Sequence, residues 1–205
     1  GRRVWQSLKF TEIEQKSFAN GKAFDILTLR NVVTGAAMAF RAKYKGLLLP
    51  IPDDLTQDDL ILIHDGWVAL IISAVSKIAF IADPLIEYRL HPGQQLGIRA
   101  VQVQPPPEAH SMLSDLAQAA RRSNSYAAQI KQLQAIRARL AAHRNGSDLG
   151  AALASIDERL THLKARSSLP ASKVRRLPVV LREAWSLRYM RYSNGIYSLM
   201  KDMLA

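Results

Sequence analysis

Apolar residues recur at helical spacing in the second half of the chain. One stripe consists of Tyr126, Ile130, Leu133 and Leu140, and a second consists of Leu149, Leu153, Ile156, Leu160 and Leu163. Steps of three and four residues keep such positions on one side of a helix. The turn-forming dipeptide Asn145-Gly146 separates the two stripes. The pattern predicts an antiparallel, coiled-coil-like helical hairpin that turns at this dipeptide.

Three further helices are predicted outside this hairpin. Residues 11–18 predict a short helix that stops at Asn20-Gly21, because this pair favours a helix end. Residues 65–76 are apolar nearly all round, which is typical of a helix enclosed by other elements. The last prediction is one amphipathic helix over residues 178–203, because Pro178 suits a first helical turn.

Strand-like patterns alternate with the helical ones in the first half. Residues 32–40 mix β-branched, small and aromatic residues around Gly35, and residues 78–81 and 85–88 flank a turn at Asp83-Pro84. Helices combined with short strands predict the α/β fold class. Because so few strands are present, we expect the sheet to be incomplete in this chain.

Three consecutive prolines, residues 105–107, divide the chain, because they favour an extended connector and exclude a continuing helix. We therefore predict an α/β domain over residues 1–104, a connector over residues 105–110 and a helical extension over residues 111–205.

Composition narrows the possible classes of protein. The chain has 48% hydrophobic and 22% charged residues and no cysteine, which indicates a globular protein and excludes disulfides and thiolate chemistry. The longest apolar run, residues 67–82, is interrupted by Lys77 and is too short for a spanning helix. No secretory signal pattern follows Gly1. These features predict a cytoplasmic location.

Positive charge is concentrated in the second half of the chain. Residues 1–100 hold 12 Lys and Arg against 10 Asp and Glu, whereas residues 101–205 hold 16 against 7. A basic segment of this kind can meet nucleic acid or an anionic membrane surface, and long-range electrostatics does not choose between them.

The first candidate for chemistry is the stretch His64-Asp65-Gly66-Trp67, which places a carboxylate at the start of the apolar helix. Such an aspartate commonly caps free backbone N–H groups. Alternatively, a carboxylate at a helix start that faces a cleft can accept a proton from a substrate hydroxyl.

The second candidate places Arg89 and His91 after a predicted strand, before a loop that contains Gly93. A guanidinium can donate two parallel hydrogen bonds to a phosphate, and an imidazole can donate to phosphate or bind a divalent metal. A solvated or structural role is the alternative for both.

Five blocks in this order resemble consecutive motifs of family-2 glycosyltransferases. They are NVVTGAAM at 31–38, LPIP at 49–52, HDGW at 64–67, KIAFI at 77–81 and PLIEYRLH at 84–91. The resemblance spans residues 1 to about 100 and is nearest to bacterial enzymes that transfer rhamnose-like sugars to surface polysaccharides or lipid-linked glycans. RYSNG at 191–195 and KDML at 201–204 are similar to the closing segment of some of them.

The resemblance implies a partial GT-A, Rossmann-like fold and an inverting mechanism, in which an acceptor hydroxyl attacks the anomeric carbon of a nucleotide-sugar. Asp65 matches the family's catalytic base. Thr34 and Gly35 match the backbone that approaches donor sugar and acceptor, and His64 and Trp67 are assigned to the same pocket. Gly35 serves there because a larger side chain would intrude.

The resemblance also implies contacts to the donor diphosphate and its metal, Mg²⁺ or Mn²⁺. Arg89 and His91 match the Tyr-Arg-x-His element near that diphosphate, with His91 a candidate metal ligand. Gln94 departs from the asparagine usual at its position. No DxD pair precedes Asn31, and Asp53-Asp54 and Asp58-Asp59 are assigned to a solvated loop. We therefore expect the nucleotide-binding half to be missing and the isolated chain to be inactive.

Three other roles remain for the basic second half. Nucleic-acid binding is disfavoured, because the arginines accompany no recognised nucleic-acid motif. The hairpin can pair chains into a homo-oligomer through its apolar seam. The last helix combines arginines with Trp185 and three tyrosines, a composition that suits an anionic membrane surface at the inner face of the cell membrane and also suits packing against the catalytic domain.

Overall fold

The computed structural model describes residues 6, 8–52, 64–87, 126–143 and 149–204. Within these ranges the regular elements are helices, which we number α1 to α9 along the chain. The helices before residue 88 are α1 Glu12–Ser17, α2 Ala23–Leu29, α3 Lys45–Leu48 and α4 His64–Val75. Those after residue 125 are α5 Tyr126–Ala141, α6 Gly150–Ser167, α7 Lys173–Trp185, α8 Arg188–Tyr192 and α9 Ile196–Leu204.

The first helix begins and ends where its sequence predicts. Thr11 and Glu14 form a capping box, in which the Glu14 N–H donates to the Thr11 hydroxyl and the Thr11 N–H donates to the Glu14 carboxylate. After α1 the chain bends through Phe18–Lys22, where Gly21 has φ +81°. Because glycine adopts positive φ at little steric cost, it allows α2 to start immediately after this bend.

The predicted fold class, an α/β sheet with a partial GT-A domain, is wrong. No strand occurs in the described ranges, and residues 32–40 instead form extended chain around a short 3₁₀ turn, Gly35–Ala37. Residues 78–81 and 85–87 have no regular structure, and Tyr88 lies outside the described residues. The apolar side chains that suggested strands belong to the apolar core or pack against it, as Val32, Val33, Ile78 and Phe80 do. Of residues 32–40, Val32 is buried, whereas Phe40 is 45% exposed.

Helices α5 and α6 form where the heptad spacing predicts them, and they pack against each other. Their apolar seam is buried, with Leu140 and Ile156 fully inaccessible. The dipeptide at 145–146 lies outside the described residues. Because the seam is buried inside the molecule, it does not offer a free surface for a second copy of the chain.

One apolar core joins helices from both sides of the predicted boundary. Helix α4 packs against α2 and α5, and α2 also packs against α6. Trp67 and Ile71 of α4 share this core with Ile136 of α5. The Arg139 guanidinium reinforces the junction by donating to the backbone carbonyls of Leu47, Leu49 and Pro50 at 3.0, 2.9 and 2.6 Å. The predicted connector, residues 105–110, lies outside the described residues.

The single C-terminal helix predicted over residues 178–203 is also wrong. The segment forms three helices, α7 to α9, and Pro178 lies inside α7 rather than at its start. Leu187 and Gly195 interrupt the helical path with φ of +58° and +57°. These two positions let α7 and α9 fold back and pack against each other.

Candidate functional site

The Asp65 carboxylate connects the first turn of α4 to the extended segment that precedes it in sequence. The Asn31 side-chain amide donates to Asp65 Oδ1 at 3.0 Å, and the Gly35 N–H donates to Asp65 Oδ2 at 3.2 Å. The Gly66 N–H donates to Oδ1 at 2.7 Å. We call Asn31, Gly35, His64 and Asp65 the Asp65 cluster. Its carboxylate is therefore fixed by groups 30 and more residues away, in addition to its neighbour on the helix.

Asn31 is itself oriented, which fixes the direction of its donor group. The Asn31 side-chain oxygen accepts from the Val33 N–H at 2.9 Å, leaving the amide nitrogen to face Asp65. Sequence inspection placed Asn31 in a family block but gave it no role. Its signal was the Asn-x-Val spacing of an asparagine that bonds its own backbone two residues on.

Gly35 lies against the cluster so closely that a side chain would meet it. A Cβ at this position would be 3.3 Å from both Asp65 Cβ and His64 Nε2. The predicted approach of this backbone to a donor sugar and acceptor stays a prediction. Thr34 immediately precedes the 3₁₀ turn, and its carbonyl accepts from the Ala37 N–H at 2.9 Å.

The cluster can perform proton transfer because its carboxylate is half-buried and held in place. Among the described residues, Asp65 Oδ2 accepts one hydrogen bond, from Gly35, and a carboxylate oxygen can accept a second from a substrate hydroxyl. His64, beside Asp65, is exposed.

Trp67 occupies the core rather than the surface near Asp65. The indole is 1% exposed, its N–H donates to the Leu48 carbonyl at 3.0 Å, and the Arg139 guanidinium lies 5.4 Å from its ring centre. Its assignment to an acceptor pocket stays a prediction. Arg89 and His91 lie outside the described residues, so their proximity to Asp65 is likewise untested.

Two cavities border these elements. A small one, of about 40 Å³, is lined by Asn31, Gln132 and Arg159 among others. Burial lowers the pKa of Arg159 to about 10, and its Nε and Nη1 have no hydrogen-bond partner among the described groups. Asn31, which donates to Asp65, thus lines the same cavity as the buried Arg159. The second cavity, of about 600 Å³, shares no lining residue with the Asp65 cluster.

A second group of polar side chains was not found from sequence. It comprises His162, Arg166, Arg176, Glu183, Tyr189, Ser193 and Asp202, which we call the C-terminal polar network. Arg166 binds both oxygens of Asp202 at 2.5 and 2.9 Å, and Tyr189 donates to the same carboxylate at 2.8 Å. The available signal was that Glu183 and Asp202 are the only acids in the basic segment 164–205.

The imidazole of His162 is completely buried in this network. Its Nδ1 lies 2.9 Å from Glu183 Oε2 and its Nε2 lies 2.9 Å from the Ser193 hydroxyl. A neutral ring fits this arrangement, with Nδ1–H donating to Glu183 and the Ser193 hydroxyl donating to Nε2. Burial, which disfavours the charged ring, lowers the pKa of His162 despite the opposing influence of Glu183.

We expect the stability of the chain to fall as pH drops below the histidine pKa of the unfolded state, about 6.5. The unfolded chain then binds a proton that folded His162 resists, so the loss continues until pH reaches the lower folded pKa. Chemical denaturation at a series of pH values measures this. In His162→Gln the part of the slope due to this proton, at most about 1.4 kcal/mol per pH unit, should disappear. An identical slope in both proteins would contradict the assignment.

Within the described residues, no group of three or more His, Asp or Glu side chains is arranged to hold a metal ion. The Asp65 cluster offers a positioned carboxylate beside an exposed imidazole. No family model, curated protein or solved structure matches this chain.

Proposed function

We propose that this chain supplies the acceptor side and the catalytic base of an inverting glycosyltransferase. Its substrates are a nucleotide-sugar and a hydroxyl of a surface-glycan or lipid-linked acceptor. The observation that carries the proposal is the half-buried Asp65 carboxylate, held by the Asn31 amide at Oδ1 and by the Gly35 N–H at Oδ2. Because the GT-A sheet is absent from the described residues, the proposal concerns the chemistry at Asp65 and not that architecture.

Asp65 acts on the acceptor in a single displacement. The acceptor hydroxyl donates its proton to Asp65 Oδ2 as its oxygen forms a bond to the anomeric carbon. The bond from that carbon to the diphosphate oxygen breaks, and the leaving nucleoside diphosphate takes the electron pair. The hydrogen bond from Gly35 holds Oδ2 in place, so that orienting the base adds little to the activation free energy.

Other parts of the reaction lie beyond the Asp65 cluster. The resemblance implies Mg²⁺ or Mn²⁺ on the donor diphosphate, but the described residues do not form a site for that ion. Arg89 and His91 are proposed to contact the diphosphate. The nucleotide-binding half is proposed to be supplied by further polypeptide.

The surroundings favour this proposal over nucleic-acid binding and over assembly through the hairpin. Arg137 pairs with Asp157 and Arg139 binds backbone carbonyls, so these arginines are engaged inside the molecule. The hairpin seam is buried. We place the activity in the cytoplasm at the inner face of the cell membrane. Of the described helices, none has the length and apolar character to cross a bilayer.

Sugar transfer by the polypeptide that includes the donor half tests this proposal. We expect Asp65→Asn to lower the transfer rate by about 10²–10⁴-fold, the usual contribution of a general base, with nucleotide-sugar binding retained. The readout is transfer of labelled sugar from a panel of nucleotide-sugars to an extracted lipid-linked acceptor.

Asp25→Asn is the matched control, since Asp25 also lies in the first turn of a helix but is exposed. Its transfer rate should equal that of the unmodified protein. If Asp65→Asn retains full turnover, the proposed base is wrong and Asp65 is a tether between α4 and residues 31–35.

A further inference from the structure

Helices α7 and α9 expose apolar side chains and bury their two acidic ones. One stripe of α7 consists of Val174, Leu177, Leu181 and Trp185, which are 81%, 42%, 54% and 92% exposed. The exposed side of α9 consists of Ile196, Tyr197, Met200 and Leu204. Single exposed apolar residues are ordinary, but a stripe that continues for the length of a helix marks a surface with a partner. We call these eight residues the C-terminal apolar face.

The opposite sides of the same helices are inaccessible and carry polar groups, with Val180 of α7 buried among them. Glu183 of α7 is 1% exposed and Asp202 of α9 is 6% exposed. Each has an arginine partner: Arg188 donates to the Glu183 carboxylate, and Arg166 and Arg176 donate to the carboxylate and the backbone carbonyl of Asp202. The His162 ring also contacts Glu183. Water-facing helices normally place such groups outside. The arrangement is therefore the reverse of what solvent alone would favour.

The charges left at this surface are all positive. Residues 173–204 contain seven Lys and Arg and two acids, and both acids are buried. The exposed cations of α7 are Lys173, Arg175 and Arg182. At about 100° per residue, Lys173 falls on one side of the apolar stripe and the two arginines fall on the other. Cations thus flank the apolar stripe on both sides.

We propose that the C-terminal apolar face docks into the interface of an anionic lipid bilayer. The flanking cations favour an anionic bilayer over a second copy of the chain, because two copies would place like positive charges against each other. A bilayer with acidic headgroups accepts both the apolar stripe and its rim. The inference rests on the exposed residues of α7 and α9 and is independent of the role of Asp65.

In the docked state α7 lies parallel to the membrane, with Trp185 and Leu181 among the upper acyl carbons. Tryptophan suits this depth because its ring is large, apolar and able to donate one hydrogen bond to the headgroup region. Lys173, Arg175 and Arg182 remain at the headgroup level, where their long side chains can reach the phosphates. The polar network stays inside the protein and holds the two helices together.

Vesicle co-sedimentation of the full chain tests the proposal. We expect binding to vesicles of phosphatidylcholine mixed with phosphatidylglycerol, weaker binding to pure phosphatidylcholine, and release as salt is raised. Leu181→Ser with Trp185→Ser should lower the affinity at least about tenfold. Lys173→Gln with Arg175→Gln should lower it about tenfold at low salt and only for the anionic vesicles. Tryptophan emission should shift to the blue on binding, and this shift should be lost in the serine variant.

Matched controls lie in the first helices. Ile13 is 78% exposed, so Ile13→Ser removes an exposed apolar side chain elsewhere, and Lys16→Gln with Lys22→Gln removes two exposed cations. Both should bind vesicles like the unmodified chain. Absence of binding at low salt, or equal losses in variants and controls, would overturn the proposal. So would a lipid-free dimer that the serine variant converts to monomer, since a second copy would then be the occupant.

Discussion

Asp202→Ala is expected to lower the free energy of unfolding by about 3–5 kcal/mol, because it leaves a buried guanidinium without its partner. Arg166 binds both oxygens of Asp202, the two side chains are 9% and 6% exposed, and Tyr189 donates to the same carboxylate. Burial and the hydrogen bond to Asp202 both raise the pKa of Tyr189, so its hydroxyl stays protonated as a donor. Urea unfolding followed by circular dichroism measures the change.

The chain contains a matched ion pair that differs in burial. Arg137 binds both oxygens of Asp157 at 2.5 and 3.0 Å, with side chains 45% and 48% exposed. The Arg137 hydrogen bond lowers the pKa of Asp157, but water screens the pair and competes for both groups. Asp157→Ala should therefore leave the unfolding midpoint almost unchanged. Similar midpoints for the two alanine variants would show that burial does not set the contribution of Asp202.

Trp67→Ala is expected to destabilise the chain by a similar amount, about 3–5 kcal/mol, through the cavity it leaves in the core. Trp67 is 1% exposed and packs in the apolar cluster shared by α4 and α5. Trp67→Phe should cost less, about 1–3 kcal/mol, because the ring volume is partly kept while the Leu48 carbonyl loses its donor. Both changes are measured by the unfolding midpoint in urea.

Trp185→Ala provides the comparison in the absence of lipid. Trp185 is 92% exposed, so its replacement should change stability by no more than about 0.5 kcal/mol.

The Trp67 variants also distinguish a role in the core from a role in an acceptor pocket. If Trp67 walled an acceptor pocket without supporting the core, Trp67→Phe would weaken acceptor binding and leave the unfolding midpoint in place.

Local patterns predicted the helices well where burial and local preference agree. The seam from Leu149 to Leu163 specifies one buried side of a helix, and α6 forms there with Ile156 and Leu163 in the core. The strand predictions failed because β-branched content reports burial in an extended conformation, whereas a sheet also requires a partner strand. Val32 obtains its burial from helices instead.

The candidate site was only partly visible in the sequence. Asp65 and Gly35 were singled out by their motifs, but their contact joins residues 30 positions apart and could not be read from spacing. The C-terminal polar network was missed for the same reason, since Arg166 and Asp202 are 36 residues apart. The break at Leu187 could not be predicted from the sequence, because leucine rarely adopts the positive φ that it has here. Gly195, which also has a positive φ, is a residue type that favours such a break.

The polar interior of the C-terminal helices gives them a different response to temperature from the rest of the molecule. Exposure of apolar surface raises the heat capacity on unfolding, whereas exposure of polar surface lowers it. Loss of the contacts around Glu183 and Asp202 therefore adds little to this heat capacity, while loss of the core around Ile71 and Ile136 adds much. Because apolar burial weakens on cooling, we expect low temperature to weaken the core of α2, α4, α5 and α6 more than the contacts around Glu183 and Asp202.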